Sequence, residues 1–162
     1  MIRKALEKDI PRLMDIYNEA IENTLATFDT ETKDYNNRLQ WFKDHKKNPY
    51  VIFVKEVEGN IAGYASLSKY RDRKAFDTTV EISIYIAPEY RSQGIGKELM
   101  EKTLDFSKKK QEIHRVISLI TAINTKSISL HTMYGFEFCG TMNEVGYKKG
   151  QWLDLNIYQL KL

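Results

Sequence analysis

The sequence predicts a single domain of mixed α/β (α+β) class, in which helices flank a mixed sheet. Three observations predict it: amphipathic helical spacing early in the chain, a run of consecutive strand-like segments in the middle, and alternating helix and strand thereafter. The 162 residues suit one domain with a hydrophobic core, and no linker, repeat or low-complexity tract interrupts them. We therefore expect one domain over residues 1–162.

The early part of the chain is predicted to form a short strand and two helices. The strand covers residues 2–5. Asp9 is expected to cap the first helix, with Pro11 in the first turn, where the missing N–H of proline costs nothing. This helix is predicted from apolar side chains at helical spacing: Ile10, Leu13, Tyr17, Ala20 and Ile21. Leu39 and Phe42 indicate a second helix, which the following lysines and proline end.

The rest of the chain is predicted to contain six strands and two helices. The first two strands flank the turn Glu-Gly-Asn and form a hairpin. In chain order the segments are strands at 50–57, 61–68 and 80–86, a helix at 96–109, a strand at 115–123, a short helix at 127–133, and strands at 136–142 and 152–162. Gly135 follows the short helix, as is typical of a residue that ends a helix in the left-handed conformation.

Composition excludes several classes of function. The net charge of +3 helps to attract a polyanionic small molecule but does not indicate nucleic-acid binding. No apolar run approaches the ~20 residues that span a bilayer, and the charged N-terminus does not resemble a signal peptide. The single cysteine, Cys139, cannot form an internal disulfide, which suits the cytoplasm, and we expect it to be buried in a strand. His45 and His114 have no partners at metal-ligand spacing, so we expect no metal.

The stretch RSQGIGK (91–97) lies where a predicted strand leads into a predicted helix. The N-terminus of a helix offers free N–H groups and a positive dipole, and Gly94 and Gly96 would let a phosphate group approach the backbone. Arg91 and Lys97 add positive charge. The spacing fits two interpretations equally: a pyrophosphate-binding loop, or a tight turn that needs positive φ angles. Neither a Walker loop nor a complete Rossmann fingerprint is present.

Five segments together resemble a known family. The motif Arg-x-x-Gly-x-Gly at 91–96 and Asn124 after a strand resemble the acetyl-CoA site of the GNAT N-acetyltransferase superfamily, and LHTMYGF (130–136) is similar to its Leu-Tyr-x-x-x-Gly-Phe. AFDTTVEISIYI (75–86) and GYKKGQWLDL (146–155) resemble segments of the phosphinothricin and methionine-sulfoximine acetyltransferase branch. The likeness extends in order over nearly the whole chain.

The resemblance implies a V-shaped sheet that binds acetyl-CoA in its split, between the strands at 80–86 and 115–123. It implies that the pantetheine arm pairs with the backbone of one strand and that the glycine loop holds the pyrophosphate. By position, the implied cofactor-binding residues are Ile84, Tyr85, Ile86, Arg91, Ser92, Gln93, Gly94, Ile95, Gly96, Lys97 and Asn124.

Transfer of an acetyl group to an amine needs a base, because an amino group is mostly protonated at neutral pH. Glu81 is the one carboxylate in an otherwise apolar strand, and partial burial would raise its pKa. Simple alternation offers another explanation, since Glu81, Ser83 and Tyr85 share one side of the strand and would form an exposed face. The pattern alone favours the exposed face, and the resemblance favours Glu81 as the base.

The leaving thiolate gains from protonation, and the developing oxyanion needs a donor such as a backbone N–H between Ile84 and Ile86. Many members of the superfamily use a tyrosine as the acid, where this chain has His131, as the narrower branch does. His131 either donates a proton or orients water, or it is a helix-surface or capping histidine; its residue type does not decide. Tyr134 lies one helical turn from the expected position of the acid, and we interpret it as a packing residue.

Arg71 and Arg73 precede the predicted catalytic strand and suit an acidic substrate, because guanidinium groups pair with carboxylate and phosphinate oxygens. Without the resemblance, a solvated basic loop would be the preferred explanation. By position, Phe76 replaces a tyrosine of the branch, Phe28 forms a wall of the substrate pocket, and Glu81 also contacts the substrate.

The predicted function is an acetyl-CoA-dependent N-acetyltransferase for a small amino acid or analogue. A protein or peptide N-terminal acetyltransferase is an alternative, and Arg71 with Arg73 argues against it. A non-catalytic acyl-CoA sensor is another, and Glu81 with His131 argues against that. The branch forms homodimers, so we expect a homodimer that binds no nucleic acid or membrane.

Overall fold

Seven strands form one mixed sheet that four helices flank, in a computed structural model that describes residues 1–162. The strands are β1 (Ile2–Lys4), β2 (Val51–Val57), β3 (Asn60–Lys69), β4 (Thr79–Ile86), β5 (Arg115–Thr121), β6 (Glu137–Lys148) and β7 (Gln151–Lys161). The helices are α1 (Ile10–Asn23), α2 (Tyr35–Asp44), α3 (Ile95–Lys108) and α4 (Thr125–Met133). The predicted fold class is confirmed, and every predicted helix and strand is present. None of the helices is both long enough and apolar enough to cross a membrane.

The sheet divides into two arms at the junction of β4 and β5. The first arm contains β1, β2, β3 and β4, and the second contains β5, β7 and β6. The strand order is β1-β2-β3-β4-β5-β7-β6, and all neighbours are antiparallel except β4 and β5, which are parallel. These two strands pair only over Thr79–Glu81 and Arg115–Ile117. Beyond Glu81, β4 continues to pair with β3 alone, and beyond Ile117, β5 pairs with β7 alone. The result is the V-shaped split that the resemblance implied.

Two apolar clusters lie on opposite faces of the first arm. Successive side chains of a strand point to opposite faces, and β2 shows this directly: Val51 and Phe53 join one cluster, whereas Ile52 and Val54 join the other. Helix α3 packs into the first cluster, and helices α1 and α2 pack into the second. Each fully buried aliphatic side chain contributes about 1.5–3 kcal/mol. This packing brings α1 and the start of α3 to the two sides of the open end of β4.

Asp9 does not cap α1 as predicted. It occupies the N-cap position, but its side chain makes no capping hydrogen bond. Its carboxylate instead accepts the N–H of Leu6 at 2.7 Å and pairs with Arg3 at 2.7 and 3.0 Å. Burial alone would raise the pKa of Asp9, but these hydrogen bonds lower it overall. The carboxylate therefore joins β1 to α1 rather than stabilising the helix terminus.

The second arm differs from prediction at its edge strand, β6. This strand extends to Lys148, beyond the predicted end at residue 142, because it keeps pairing with β7 after a register shift between Met142 and Gly146. Cys139 is exposed on β6, so the expectation that it is buried is wrong. The reason is that Cys139 lies on the edge strand of the sheet, at a register shift that leaves it without a pairing partner on β7.

Candidate active site

The split between the two arms is a cleft with a volume of about 670 Å³. It contains every predicted cofactor residue but one: Ile84, Tyr85, Ile86, Arg91, Ser92, Gly94, Ile95, Gly96, Lys97 and Asn124. The exception is Gln93, whose side-chain amide donates to the carbonyl of Glu89 at 3.0 Å. The structure thus brings residues that are up to 40 positions apart in sequence (84 to 124) to a single cavity.

The glycine loop presents free N–H groups to this cleft. The five consecutive N–H groups from Ser92 to Gly96 donate no hydrogen bond within the chain, whereas those of Lys97 and Glu98 donate to the carbonyl of Gly94. Left-handed φ angles at Ser92 (62°) and Gly94 (82°) produce this arrangement. A row of unpaired N–H groups at a helix N-terminus binds anions.

The two glycines have different roles. Gly94 needs its positive φ, and a Cβ atom built there would meet nothing within 4 Å, so it faces open space. Gly96 has no positive φ, and its Cβ atom would lie 3.3 Å from the side chain of Leu130. The tight-turn interpretation is therefore correct for Gly94, and the same turn leaves the N–H groups free. Asn124 on the opposite arm caps α4 by accepting the N–H of Ser127 at 3.2 Å.

The edge of β4 carries further unpaired backbone groups. The N–H of Ala87 donates to Ala62 on the β3 side at 2.9 Å, and the register between the strands is uninterrupted. Alternation therefore directs the N–H and C=O of Tyr85 to β3 and those of Ile84 and Ile86 into the cleft. The Nε of Arg91 donates a hydrogen bond to the carbonyl oxygen of Ile86 at 3.2 Å. The expectation that the backbone of Tyr85 contacts the cofactor is thus wrong, because its polar groups belong to the sheet.

Glu81 is the last residue of β4 that pairs with β5, and the two arms separate beyond it. Its side chain forms no hydrogen bond or ion pair within the chain. Burial raises the pKa of Glu81, and the positive charge of Arg71 partly offsets this. The neighbouring Tyr85 packs against the rings of Tyr17 and Tyr64, with centroids 5.1 and 5.6 Å away. The interpretation of this side of β4 as an exposed face is therefore wrong.

His131 is buried, with 3% of its surface exposed, so the helix-surface interpretation is also wrong. Its Nδ1 lies 2.7 Å from the carbonyl oxygen of Ser127. A carbonyl can only accept, so Nδ1 carries the proton and Nε2 is an acceptor in the neutral ring. Burial lowers the pKa of His131, which keeps the ring neutral. Nε2 is buried and has no partner, so the ring is suited to accept a hydrogen bond rather than to donate a proton.

A recess of about 50 Å³ adjoins the cleft and contains His131. It shares Ile84, Tyr85 and Asn124 with the larger cavity. Tyr134 reaches neither space: its hydroxyl donates to Glu101 at 2.6 Å, which raises the pKa of Tyr134 to about 12. This contact agrees with the packing role predicted for Tyr134.

The predicted substrate residues lie in the connection between β3 and β4 and on the loop after α1. Arg71 and Arg73 are exposed and form no ion pair. The guanidinium of Arg71 lies 4.9 Å from the ring of Tyr70, which also contacts the ring of Phe76 at 5.6 Å. Of these residues, only Arg71 acts electrostatically on Glu81. Phe28 lies against Gly146 of β6.

A buried cluster that the sequence did not predict lies beside β4. Arg38 is buried, and its guanidinium lies 3.7 Å from the ring of Trp41 and 4.7 Å from the ring of Tyr17. Its Nε has no hydrogen-bond partner. A signal was present, because Arg38, Trp41 and His45 recur at helical spacing on one face of α2. The cluster supports the ring of Tyr17 and, through it, Tyr85.

The comparisons with known proteins agree with this geometry. The Acetyltransferase (GNAT) family matches residues 11–136. The L-methionine sulfoximine/L-methionine sulfone acetyltransferase of Pseudomonas aeruginosa is 37% identical over 162 residues, which cover 99% of this chain and 94% of the relative. The chain therefore belongs to the GNAT acetyltransferase family, and it is an N-acetyltransferase by class.

Two crystal structures share the fold closely. A ribosomal-protein-alanine N-acetyltransferase from Brucella melitensis is 40% identical, with a TM-score of 0.96 over 100% of this chain and 99% of its own. A GNAT superfamily phosphinothricin acetyltransferase from Sinorhizobium meliloti, in complex with acetyl-CoA, is 33% identical, with a TM-score of 0.94 over 100% of this chain and 88% of its own. The resemblance predicted from sequence is confirmed at the level of the family and its branch.

Replacing Gly94 by valine should weaken acetyl-CoA binding by at least roughly tenfold, because the side chain would fill open space beside the free N–H groups. Isothermal titration with acetyl-CoA measures this. Gly59→Val is the matched control: Gly59 has a similar φ of 80° and open space at its Cβ position, but it lies in the β2–β3 turn. Equal loss of affinity in both variants would contradict a phosphate-binding role for the loop.

Proposed function

We propose that this protein transfers an acetyl group from acetyl-CoA to the amino group of a small amino acid or analogue of the phosphinothricin, methionine sulfoximine or methionine sulfone type. The observation that carries the proposal is the position of Glu81, a half-buried carboxylate without a partner at the point where the arms separate. The exposed, unpaired Arg71 and Arg73 lie close by in sequence, and the Pseudomonas and Sinorhizobium relatives are named for substrates of this kind.

The chain offers polar partners to the pyrophosphate and to the amide-containing arm of acetyl-CoA. The five free N–H groups from Ser92 to Gly96 suit its pyrophosphate, with Lys97 beside them. The unpaired N–H and C=O of Ile84 and the unpaired N–H of Ile86 suit an amide-containing arm that lies along β4. Thr121 adds a buried hydroxyl without a partner on the facing arm. Acetyl-CoA supplies the acetyl group as an activated thioester and needs no metal, and the His, Cys, Asp and Glu side chains form no group suited to a metal ion.

Glu81 serves as the base that removes a proton from the ammonium group of the acceptor. A carboxylate with an ordinary pKa is a weak base for this task, and burial raises the pKa of Glu81 toward the working pH. The absence of an internal partner leaves its oxygens free for the acceptor or for a water molecule. The N–H of Ile84 or Ile86 is the donor for the negative charge that develops on the acetyl oxygen.

His131 acts as a hydrogen-bond acceptor in the recess. Its Nδ1–H is committed to Ser127, and its Nε2 is free. In this state it orients a water molecule or the hydrogen of a thiol rather than protonating the leaving group. Of the two roles that the sequence left open, the geometry supports the orienting one.

Arg71 and Arg73 bind the acidic end of the acceptor, and Phe28 and Phe76 form apolar walls. Neither guanidinium has an internal ion pair to break on binding. Phe76 lacks the hydroxyl of the tyrosine that the branch has at this position, so one hydrogen bond to the acceptor is absent. This assignment gives the acceptor two cationic groups for its acidic end and two aromatic rings for its apolar part.

An acceptor panel tests the proposal by measuring free thiol released from acetyl-CoA. We expect release with phosphinothricin, methionine sulfoximine and methionine sulfone. The structural similarity to the Brucella protein makes an N-terminal alanine peptide the essential competitor. Release with peptides alone would contradict the proposed pocket while keeping the family assignment, and acetyl-CoA binding without release to any amine would indicate a sensor.

We further propose that the protein is a cytoplasmic homodimer that associates through the edge strand β6 and the start of β7. The support is a group of large apolar side chains there that are 47–62% exposed: Phe138, Met142, Val145, Tyr147 and Trp152. Exposed apolar patches of this kind mark protein interfaces.

Light scattering coupled to size exclusion tests the dimer, and we expect twice the chain mass of 19.0 kDa. Met142→Glu should shift the protein toward the monomer, because it places a charge in the apolar patch. Glu137→Gln on the same strand is the control and should leave the mass unchanged. A monomeric parent protein at micromolar concentration would refute the dimer.

A further inference from the structure

The segment of residues 24–29, which follows α1, crosses the opening of the split and is called the crossing segment below. Thr24, Leu25 and Ala26 line the cleft, and Ala26 also lines the recess that contains His131. The segment is partly held by its own side chains, since Thr24 accepts the N–H of Ala26 at 3.1 Å and Thr27 accepts that of Asp29 at 3.2 Å. It therefore forms part of the wall of both the cleft and the recess.

The end of β6 holds the crossing segment from the second arm. The Nζ of Lys148 donates to the carbonyl oxygen of Thr27 at 2.9 Å. The ring of Phe28 lies against Gly146 so closely that a Cβ atom at Gly146 would overlap it. Lys149 donates to the carbonyl oxygen of Glu22, at the end of α1. Three contacts from one short stretch thus join the two arms across the split.

Tyr17 holds the same segment from the first arm. Its hydroxyl donates to the carboxylate of Asp29 and lies 3.2 Å from the hydroxyl of Thr27. Its ring contacts Tyr85, which is four residues after Glu81 and on the same side of β4. A continuous set of contacts therefore leads from β6 through the crossing segment to the catalytic strand.

Lys148 is an unusual residue for this position. Only 4% of its surface is exposed, its one hydrogen-bond acceptor is a carbonyl, and no carboxylate forms an ion pair with it. Lysine is almost never fully buried without a charged partner, because burial disfavours the ammonium form. Burial accordingly lowers the pKa of Lys148. An apolar side chain would fill the same space at lower cost, so the specific hydrogen bond to Thr27 is what lysine contributes.

We propose that Lys148 and Gly146 are positioning residues that determine acceptor specificity, because they fix Thr27 and Phe28 across the acceptor end of the split. This inference rests on the proposed acetyl transfer. The hydrogen bond from Lys148 to Thr27 fixes the position of the crossing segment over the cleft. Gly146 leaves the space in which the Phe28 ring packs against β6. Neither residue touches the reacting atoms.

Two variants test the inference. Gly146→Ala should displace the Phe28 ring toward the acceptor, so kcat/KM for the longer methionine sulfone should fall relative to kcat/KM for alanine by roughly tenfold. Lys148→Met keeps the length of the side chain but leaves the Thr27 carbonyl without its donor, so the same ratio should change by at least roughly fivefold. A merely structural role would lower both kcat/KM values equally and leave their ratio within about twofold.

Hydrogen exchange supplies a readout that needs no acceptor. In Lys148→Met, amides of the crossing segment should exchange at least roughly tenfold faster, while those of β2 and β3 stay unchanged. Lys161→Met, an exposed lysine at the end of β7, is the control. Unchanged exchange together with an unchanged ratio would overturn the inference. Faster exchange in a protein that acetylates no amine would support the positioning role of Lys148 and count against the proposed function instead.

Discussion

Separation of β4 from β5 after three residue pairs is the constraint on which the rest of this structure depends. An internal strand edge normally satisfies its N–H and C=O groups with a neighbouring strand, and leaving them unpaired is costly away from water. Here the edge at Ile84 and Ile86 opens into a cleft of about 670 Å³, so a ligand can take the place of the missing strand. The glycine loop and Asn124 follow directly after the two separating strands, which places an anion site at the same opening.

Separation also explains the chemistry of Glu81. Glu81 is the last residue of β4 that pairs with β5, and its side chain is half-buried, yet no strand or helix supplies it with a hydrogen-bond partner. A carboxylate in this state destabilises the folded protein and gains basicity from the same desolvation. His131 shows the same pattern on the other arm, where a buried ring nitrogen remains unpaired. Unsatisfied groups thus concentrate where a ligand would satisfy them.

The sequence predicted the order of the elements, the glycine loop and the candidate base, because each depends on local spacing or on a contiguous motif. It did not predict that Asp9 pairs with Arg3, that Tyr85 directs its backbone to β3, or that Cys139 is exposed. These depend on strand register and on position in the sheet, which composition and periodicity do not encode. The contact between Lys148 and Thr27 joins residues 121 positions apart, and only the closed fold reveals it.

The most direct test of this account is the pH dependence of kcat/KM for acetyl transfer by the parent protein and by Glu81→Gln, with thermal unfolding of both. The parent should lose activity as the pH falls through the raised pKa of Glu81, and the variant should lack this limb and be slower by roughly 10²–10⁴-fold. Because the folded-state pKa lies above the unfolded value, the ionised form costs stability as pH rises, so the variant should have the higher Tm at neutral pH. Equal rates and an unchanged pH profile in the two proteins would contradict the account.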